Sequence, residues 1–315
     1  MAMVVVATGY GGPEVLSVVD EEPAAPGRGE VLLDVRAAGI NPIDAKRYGG
    51  AFGADPGRLP LRLGVEAAGV VRSVGPDAVG PVGPVRPGDE VIAHPVRGAY
   101  AERLIVPASA VVPKPAGVSW AAAGGLLLAG VTATHCLNAV RVGRGDTVVV
   151  HGAAGGVGLL AVQLAALDGA RVLATASPPR HALLRELGAE PVDYGPGLTD
   201  RLRALAPEGV AAAVDAVGTD EAVESSVELV ADRDRIATIA AFRRGAELGI
   251  RLLGGGAGAD PGTELRAAAR TGLTDLVAGG RLRVLVAATY PLADAARAHR
   301  DLLGRHAPGK LVLLP

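Results

Sequence analysis

The segment formed by residues 145–158 places the strongest constraint on how this chain of 315 residues can fold. It begins with an apolar run at 147–150, continues through a glycine-rich turn, and leads into an apolar stretch at 159–167 that is typical of a helix. A buried strand, a glycine turn and a helix in this order are the building unit of a parallel sheet covered by helices. The segment therefore predicts an α/β domain in this part of the chain.

The glycines of this turn have nearly the spacing of a dinucleotide-binding fingerprint. The pattern is Ala-x-Gly-x-x-Gly at Ala153, Gly155 and Gly158, whereas the first position is usually glycine. Gly155 would let the backbone approach a pyrophosphate, Gly158 would let the helix pack on the strand, and the helix N-terminus would supply N–H donors. We predict a cofactor site at Ala153, Gly155, Gly156, Val157 and Gly158. A tight turn without a ligand is the alternative.

The residues after the second strand distinguish the two nicotinamide cofactors. An NAD site usually offers an acidic residue about 20 residues beyond the turn, where it bonds the ribose hydroxyls. Here the run at 171–175 leads to Ser177 and Arg180 without an acid. Ser177 can donate to a phosphate and Arg180 can pair with its charge. We therefore predict NADP(H), with a solvated arginine at a helix start as the alternative for Arg180.

Two kinds of local pattern divide the chain. Residues 1–116 contain short β-branched runs separated by glycine and proline, which predicts antiparallel strands in a partly open β-barrel. Residues 117–257 alternate strand-like and helical segments, which predicts a doubly wound parallel sheet. Residues 258–315 return to a mixed pattern and are predicted to rejoin the first domain. The expected fold class is thus an α/β domain inserted in a β domain.

Composition narrows the function classes. Thirty-one basic and 33 acidic residues give a net charge of −2, which argues against a nucleic-acid surface or a basic membrane patch. Cys136 is the single cysteine, so an internal disulfide and a multi-cysteine metal site are excluded. The N-terminus lacks a basic targeting region, so a cytoplasmic location is expected. The uncharged stretch at 115–140 has the length of a membrane span, but its polar residues favour a buried helical hairpin or an interdomain helix.

Several short motifs follow one another along nearly the whole chain. They are Asn-Pro-Ile-Asp at 41–44, Gly-Val-Glu-Ala-Ala-Gly-Val-Val at 64–71, Pro-Gly-Asp-Glu-Val at 87–91, Gly-Ala-Tyr-Ala-Glu at 98–102, Ala-Gly-Val-Thr-Ala at 129–133, the turn at 152–158, and Pro-Gly-Lys-Leu-Val-Leu at 308–313. In this order they resemble the zinc-free quinone oxidoreductase branch of the medium-chain dehydrogenase/reductase superfamily. The resemblance implies a GroES-like β-barrel domain, an inserted Rossmann domain, and a homodimer joined near residues 250–253.

The resemblance also implies candidate catalytic and substrate-binding residues. Asn41 would face the nicotinamide or the substrate oxygen, and Asp44 would organise its loop. Chemically, Asn41 can offer an N–H to a developing oxyanion, or it can simply bond its own backbone in an Asn-Pro turn. Independently of the resemblance, the phenol of Tyr48 or the ammonium group of Lys46 could protonate the product. Because aromatic residues are few, Phe52 and Tyr100 are candidates to line a pocket for a planar substrate.

Further cofactor contacts implied by the resemblance lie in strand ends and loops, where a doubly wound sheet binds its ligands. They are Thr132, Val217, Gly218, Ala240, Phe242 and, in the closing loop, Lys310. His151, at the end of the first Rossmann strand, is a further candidate.

The positions that hold zinc in related alcohol dehydrogenases carry other residues here. Those relatives use a cysteine near the position of Asn41 and a histidine directly before the glutamate of the Gly-x-Glu motif, where this chain has Val65. Neither side chain is a usual zinc ligand, so we expect no metal. Glu66 is left either as a buried structural acid or with a direct role.

A nicotinamide site without a Lewis acid suits acceptors that carry their own electron sink. We therefore expect NADPH-dependent reduction of a quinone or of an α,β-unsaturated carbonyl, with a planar or conjugated carbonyl compound as the substrate. Two alternatives stay open. One is an enoyl reductase that acts on a polyketide or similar pathway intermediate, and the other is a nucleotide-responsive protein that binds NADPH without turnover.

Overall fold

The computed structural model of this protein describes residues 1–304 and 307–315. The chain forms two compact units: unit 1 comprises Met1–Leu128 and Thr274–Pro315, and unit 2 comprises Ala129–Leu273. These division points lie later in the chain than the predicted boundaries at 117 and 258, because two helices each contribute residues to both units.

The structure gives the following element bounds. The strands are β1 (Ala2–Ala7), β2 (Leu16–Glu21), β3 (Glu30–Ile40), β4 (Leu61–Arg62), β5 (Ala67–Val74), β6 (Val79–Gly80), β7 (Gly83–Pro84), β8 (Glu90–Ala93), β9 (Arg103–Pro107), β10 (Val111–Pro113), β11 (Thr147–His151), β12 (Arg171–Thr175), β13 (Ala189–Val192), β14 (Ala212–Asp215), β15 (Ile236–Thr238), β16 (Arg251–Leu252), β17 (Val286–Pro291) and β18 (Lys310–Leu314). The helices are α1 (Pro42–Tyr48), α2 (Trp120–Gly124), α3 (Leu127–Ala139), α4 (Gly156–Leu167), α5 (His181–Glu186), α6 (Leu198–Leu205), α7 (Asp220–Leu229), α8 (Phe242–Leu248), α9 (Thr263–Ala278) and α10 (Ala295–Leu303).

Unit 1 is built around a mostly antiparallel sheet with the strand order β10-β8-β5-β3-β18-β17, in which β9 also pairs with β3. A smaller sheet has the order β2-β1-β4. The core between these strands consists mainly of alanine, valine and leucine, with Tyr48 and Tyr100 among its largest fully buried side chains. Short β-branched runs thus form the strands that the sequence pattern predicts.

The pairing of three strands places the polar residues of unit 1 beside one another. Strand β3 ends at Ile40, opposite Leu311 of β18, and it pairs with β5 through Ala38 and Ala67. The residues adjoining these pairs, Asn41, Lys310 and Glu66, therefore meet at one end of the sheet. Lys310 opens β18 and does not lie in a loop, which corrects the expectation from the sequence.

Unit 2 is a parallel sheet with the strand order β13-β12-β11-β14-β15-β16 and helices between successive strands. Its central strand is β11, in which Val148, Val149 and Val150 are each at most 1% exposed. Such continuous apolar runs are typical of parallel strands that are covered on both faces. The chain changes direction across the sheet between β11 and β14, and ligands bind at the carboxyl ends of the strands at such a switch point.

The uncharged stretch at 115–140 forms two helices, α2 and α3, and α3 contributes residues to both units. Leu126, Leu127 and Val131 are fully buried. Within residues 1–304 and 307–315, none of the helices combines the length and the hydropathy needed to cross a membrane.

Candidate functional site

The glycine turn follows β11 at the carboxyl edge of the sheet in unit 2. Gly152 has a left-handed backbone with φ of +69°, and Gly155 is extended directly before α4 begins at Gly156. A Cβ on Gly158 would lie 2.7 Å from Ala153 Cα and closer still to the carbonyl oxygen of Gly152. Since these are backbone atoms, only glycine fits at 158. The first N–H groups of α4 therefore lie close to the strand end, in the arrangement that binds phosphate.

Two buried polar residues hold the loops on the other side of the switch point. Asp215 Oδ1 accepts hydrogen bonds from the amides of Val217 (3.0 Å) and Gly218 (2.8 Å), and Asp215 Oδ2 accepts from Thr238 Oγ1 at 2.7 Å. Thr238 Oγ1 in turn accepts from the amides of Ala240 (3.1 Å) and of residue 241. The pair of Asp215 and Thr238 was not predicted from the sequence. A polar residue that ends an otherwise apolar strand is the signal that would have found it.

The predicted cofactor residues on this edge come close together. A Cβ on Gly152 would lie 3.0 Å from Val217 Cβ, and one on Gly218 would lie 2.8 Å from Ala240 Cβ. Val217 is 48% exposed at the edge, and Phe242 begins α8. Thr132 is buried on α3, and its role stays a prediction.

His151 carries an unpaired nitrogen beside the turn. Its Nδ1 lies 3.2 Å from Thr175 Oγ1, whereas its buried Nε2 has no hydrogen-bond partner among the described residues. Burial lowers the pKa of His151 to about 4, although the nearby Asp215 acts in the opposite direction. The imidazole is therefore neutral at pH 7. Buried polar atoms usually have a hydrogen-bond partner. The unpaired Nε2 of His151, next to a turn that suits a phosphate, therefore fits a site in which a bound ligand supplies the missing partner.

The end of β12 offers a hydroxyl and a guanidinium. Ser177 precedes a short 3-10 helix without capping it through its side chain, and Arg180 ends that helix half-buried. Asp193, which follows β13, is an acidic residue at this edge that was not predicted from the sequence. Its Oδ1 lies 3.2 Å from Nε2 of His181. The neighbouring Tyr194 is 58% exposed and offers a further hydroxyl to a ligand at this edge.

A buried ionic cluster joins Asn41, Glu66 and Lys310 in unit 1. Glu66 Oε1 accepts from Asn41 Nδ2 and from Lys310 Nζ, both at 3.0 Å, and Glu66 Oε2 accepts from the amide of Leu128 at 2.8 Å. Lys310 Nζ also donates to Asn41 Oδ1 and, at 3.2 Å, to the carbonyl oxygen of Ile40. Asn41 is 3% exposed, Glu66 is fully buried and Lys310 is 6% exposed. All three ammonium protons are thus used inside the protein.

The cluster changes two expectations from the sequence. The second amide proton of Asn41 goes to the carbonyl oxygen of Gly39 at 3.1 Å, so in this arrangement Asn41 has no free N–H for an oxyanion. Lys310 was expected to contact the cofactor, yet its ammonium group is committed to Glu66 and its neighbours. Burial by itself would raise the pKa of Glu66, but Lys310, His94 and the hydrogen bonds together keep that pKa below its ordinary value. The carboxylate of Glu66 is therefore ionised at pH 7.

Asp44 lies on α1 in a second buried network. Its Oδ1 accepts from the amide of Gly64 at 2.9 Å and its Oδ2 from the hydroxyl of Tyr100 at 3.1 Å. His299 Nε2 lies 3.2 Å from the Tyr100 hydroxyl, and His299 Nδ1 lies 3.0 Å from the Tyr48 hydroxyl. The four side chains form one hydrogen-bonded chain in the core.

The burial of this network argues against two expectations from the sequence, namely that the phenol of Tyr48 protonates the product and that Tyr100 lines a substrate pocket. Tyr48 is 1% exposed and Tyr100 is fully buried. Burial, with the nearby charge of Asp44, raises the pKa of Tyr48 to about 12 and that of Tyr100 well above its ordinary value. The hydroxyls are structural hydrogen-bonding groups in this arrangement. Phe52, by contrast, is 45% exposed after α1, and its role in a substrate pocket stays a prediction.

Asp44 gives the stability of the fold a pH dependence. Burial raises the pKa of Asp44 from 3.8 to about 6, despite the opposing hydrogen bond from Gly64 and the charge of Arg47. Between pH 3.8 and about pH 6, the carboxyl group of Asp44 is therefore protonated in the folded state but ionised in the unfolded state. Asp44 therefore stabilises the fold more as the pH falls from 7 towards 4, by at most about 3 kcal/mol.

The variant Asp44→Asn isolates this contribution. We compare the free energy of unfolding of the wild type with that of Asp44→Asn by urea denaturation. The difference, wild type minus variant, should become larger as the pH falls from about 7.5 to about 4.5. The same difference at both pH values would contradict the assignment.

The zinc positions of related alcohol dehydrogenases are occupied by the amide of Asn41 and by Val65, which is 6% exposed. In the described part of the chain, no three histidine, cysteine, aspartate or glutamate side chains lie close enough to hold a metal ion. The donor atoms at these two positions therefore do not fit a catalytic zinc site.

Comparisons with known proteins agree with this geometry. Residues 27–116 match the alcohol dehydrogenase GroES-like domain family, and residues 187–313 match the zinc-binding dehydrogenase family. The chain is 36% identical to a quinone oxidoreductase of Pseudomonas aeruginosa over 97% of each protein. It is 31% identical to a 2-haloacrylate reductase of a Burkholderia species, over 100% of this chain and 99% of that protein.

A mycobacterial structure solved in complex with NADPH is 33% identical, with a TM-score of 0.86 over 100% of both chains. The predicted fold class, a GroES-like domain combined with a Rossmann domain, is confirmed by this similarity, by the match to a GroES-like domain and by the strand order of unit 2. The chain therefore belongs to the quinone oxidoreductase branch of the medium-chain dehydrogenase/reductase superfamily.

Proposed function

We propose that this protein is an NADPH-dependent oxidoreductase that reduces a quinone or an α,β-unsaturated carbonyl compound. The observation that carries the proposal is the turn at the switch point of unit 2, where Gly158 cannot bear a side chain and α4 directs its first N–H groups towards the end of β11. This arrangement suits a pyrophosphate. The name of the quinone oxidoreductase relative and the NADPH in the mycobacterial structure support the reaction type and the cofactor.

When bound, NADPH would supply the hydride, and the residues of unit 2 would bind the cofactor. The amides at the start of α4 would hold its pyrophosphate. Asp215 and Thr238 hold the loops of Val217, Gly218 and Ala240 in place along the same edge. In unit 1, Lys310 and Glu66 keep the amide of Asn41 in one orientation, so we assign Asn41 the role of shaping the acceptor site, and Asp44 that of anchoring α1.

Arg180 provides the test of cofactor choice. The guanidinium pairs with the additional phosphate of NADPH in this proposal, and NADH lacks that phosphate. We expect Arg180→Ala to weaken NADPH binding by about tenfold or more, the loss of one charge-assisted hydrogen bond of roughly 1.5–3 kcal/mol. NADH binding should change less than twofold, measured by nicotinamide fluorescence. Equal losses for the two cofactors would refute the phosphate assignment.

The acceptor is tested with a panel of quinones, enones and α,β-unsaturated acids, following NADPH oxidation at 340 nm. Quinones are favoured by the name of the Pseudomonas relative. Unsaturated acids are favoured by the 2-haloacrylate reductase, which matches this chain over its whole length. Hydride transfer to none of them, with tight NADPH binding, would refute the proposed reaction and favour a nucleotide-responsive binding protein. A strong preference for enoyl thioesters would favour the enoyl reductase alternative.

We also propose a homodimer joined through β16, one of the two edge strands of the unit 2 sheet. The strand is short, and its flanking residues Ile250 and Leu253 are 6% and 1% exposed. Along this edge the amide of Asp260 already bonds the carbonyl oxygen of Leu252 at 2.8 Å, so a second copy would bond the remaining backbone groups of the strand. The mass in solution, measured by light scattering, tests this assembly, and a monomer at micromolar concentration would contradict it.

A further inference from the structure

We infer that His299 is a positioning residue, which holds both ends of α1 and thereby fixes the adjoining Asn41. The inference rests on the proposed function where turnover is measured, because Asn41 matters only if unit 1 takes part in hydride transfer. His299 lies on α10, is fully buried, and contacts side chains that are far away in the sequence.

The contacts of His299 reach α1 at two points. Its Nδ1 lies 3.0 Å from the hydroxyl of Tyr48, the last residue of α1. Its Nε2 lies 3.2 Å from the hydroxyl of Tyr100, which donates to Asp44 in the first turn of α1. The two tyrosine rings meet the imidazole edge-on, with centroids 5.3 and 5.7 Å away. One side chain thus bridges the start and the end of the helix.

The hydrogen bonds of this chain have one consistent direction. Because the Tyr100 hydroxyl donates to the carboxylate of Asp44, its oxygen is free to accept from His299 Nε2–H. The Nδ1 of a neutral imidazole is then an acceptor, and the hydroxyl of Tyr48 donates a hydrogen bond to it. Burial lowers the pKa of His299 to about 4, so the imidazole stays neutral at pH 7. The required tautomer therefore carries its proton on Nε2.

The backbone transmits this arrangement to Asn41. Asn41 is the residue before α1, and its carbonyl oxygen accepts from the amide of Asp44 at 3.0 Å. Helix α1 has only seven residues, too few to be stable by its own hydrogen bonds. Its place is therefore set by the buried side chains of Asp44 and Tyr48. A helix that shifts would move Asn41 out of its bonds to Glu66 and Lys310.

Gly64 shows how closely this network is packed. Its φ is +90°, and a Cβ there would lie 2.6 Å from Cδ1 of Tyr100 and 2.8 Å from the Cβ of Ala99. The absence of a side chain at 64 lets Tyr100 approach Asp44 while the amide of Gly64 bonds the same carboxylate. Loss of the imidazole would leave the buried hydroxyl of Tyr48 without its partner, and the hydroxyl of Tyr100 would keep only its bond to Asp44. An unpaired buried hydroxyl favours rearrangement over an empty space.

Two variants of His299 test the inference. His299→Leu keeps an apolar side chain but removes both bonds, whereas His299→Gln keeps one N–H donor and one carbonyl acceptor. We expect His299→Leu to lower kcat/KM for the acceptor by up to about 100-fold, the effect of a displacement of about 1 Å in a reacting group. His299→Gln should recover most of this loss. NADPH affinity should stay within about twofold, because the turn residues of unit 2 are unchanged.

A structural readout makes the test independent of turnover. In ¹⁵N NMR spectra, His299 should be neutral and protonated on Nε2 between pH 6 and 8. Hydrogen exchange of the α1 amides should accelerate in His299→Leu, the side-chain amide signals of Asn41 should shift, and both changes should reverse in His299→Gln. Unchanged exchange and unchanged Asn41 signals in His299→Leu would overturn the inference, whatever the activity of the wild type.

A matched control separates positioning from general destabilisation. Val106 is 1% exposed on β9 and pairs with Val31, at the end of β3 away from Asn41. Val106→Ala should lower the free energy of unfolding but keep kcat/KM and the Asn41 signals. If it loses activity as His299→Leu does, or if His299→Gln recovers nothing, positioning by His299 is refuted. A wild type that turns over no acceptor while α1 responds as expected would count against the proposed function and support the positioning role.

Discussion

Replacement of Lys310 by methionine is expected to destabilise unit 1 more than any other single change to its polar residues. Lys310→Met removes the cation from a carboxylate that is fully buried, so Glu66 is left either charged without a partner or protonated at the cost of its other bonds. Breaking a buried ion pair in this way costs about 3–5 kcal/mol. We expect a loss of this size in the free energy of unfolding at pH 7, measured by urea denaturation.

The same variant tests two roles for Lys310. Without the ammonium group, the amide of Asn41 loses the donor to its Oδ1, so we expect acceptor turnover to fall as well. NADPH affinity should change little, because the three ammonium protons of Lys310 bond Ile40, Asn41 and Glu66. A large loss of NADPH affinity at normal stability would instead support the cofactor contact predicted from the sequence.

The matched control for this prediction is the double variant Lys310→Met with Glu66→Gln. It removes both charges and keeps an amide that can bond Asn41 and the backbone of Leu128. Most of the lost stability should return, since the neutral glutamine leaves no unpaired charge buried beside the apolar methionine. A double variant as unstable as Lys310→Met would show that packing, and not charge, dominates at this position.

Gly158→Ala should have the largest effect on cofactor binding. The added Cβ would meet backbone atoms of Gly152 and Ala153, and backbone cannot yield as a flexible side chain does. Overpacking of this kind costs about 1–3 kcal/mol, and here it displaces the turn from the start of α4. We expect NADPH affinity to fall about 10- to 100-fold, measured by fluorescence titration, together with a loss of stability.

Gly272→Ala is the control that separates the turn from helix propensity. Gly272 lies within α9, and a Cβ there would meet nothing within 4 Å. Alanine is favoured over glycine in a helix by about 0.5–1 kcal/mol, so this variant should be at least as stable as the wild type. NADPH affinity should be unchanged. Normal NADPH binding by Gly158→Ala would contradict the role of the turn.

The sequence predicted unit 2 in more detail than unit 1. Strand β11, the turn and α4 follow one another within 21 residues, from Thr147 to Leu167, so the requirement for glycine and the order of the elements are local features. The pair of Asp215 and Thr238 was missed, although both residues end strands, because their contact depends on the neighbouring positions of β14 and β15 in the sheet.

In unit 1 the motifs were visible but their partners were not. Asn41 and Asp44 stood out as polar residues in a short motif, yet their bonds run to residues far along the chain. Lys310 is separated from Glu66 by 244 positions, and His299 from Tyr48 by 251. A scarce tyrosine therefore suggested an open pocket, while the fold used its hydroxyl in the core.

The sequence by itself determined the α/β pattern, the glycine-rich turn and the absence of zinc ligands at two positions, because each depends on residue type and on neighbours in the chain. Only the tertiary structure decided that Lys310 pairs with Glu66, that Asn41 has no free amide proton, and that His299 joins Tyr48 to Asp44 through Tyr100. These features require burial, which makes a charge or a hydroxyl depend on its partner, and burial arises only when distant segments pack together.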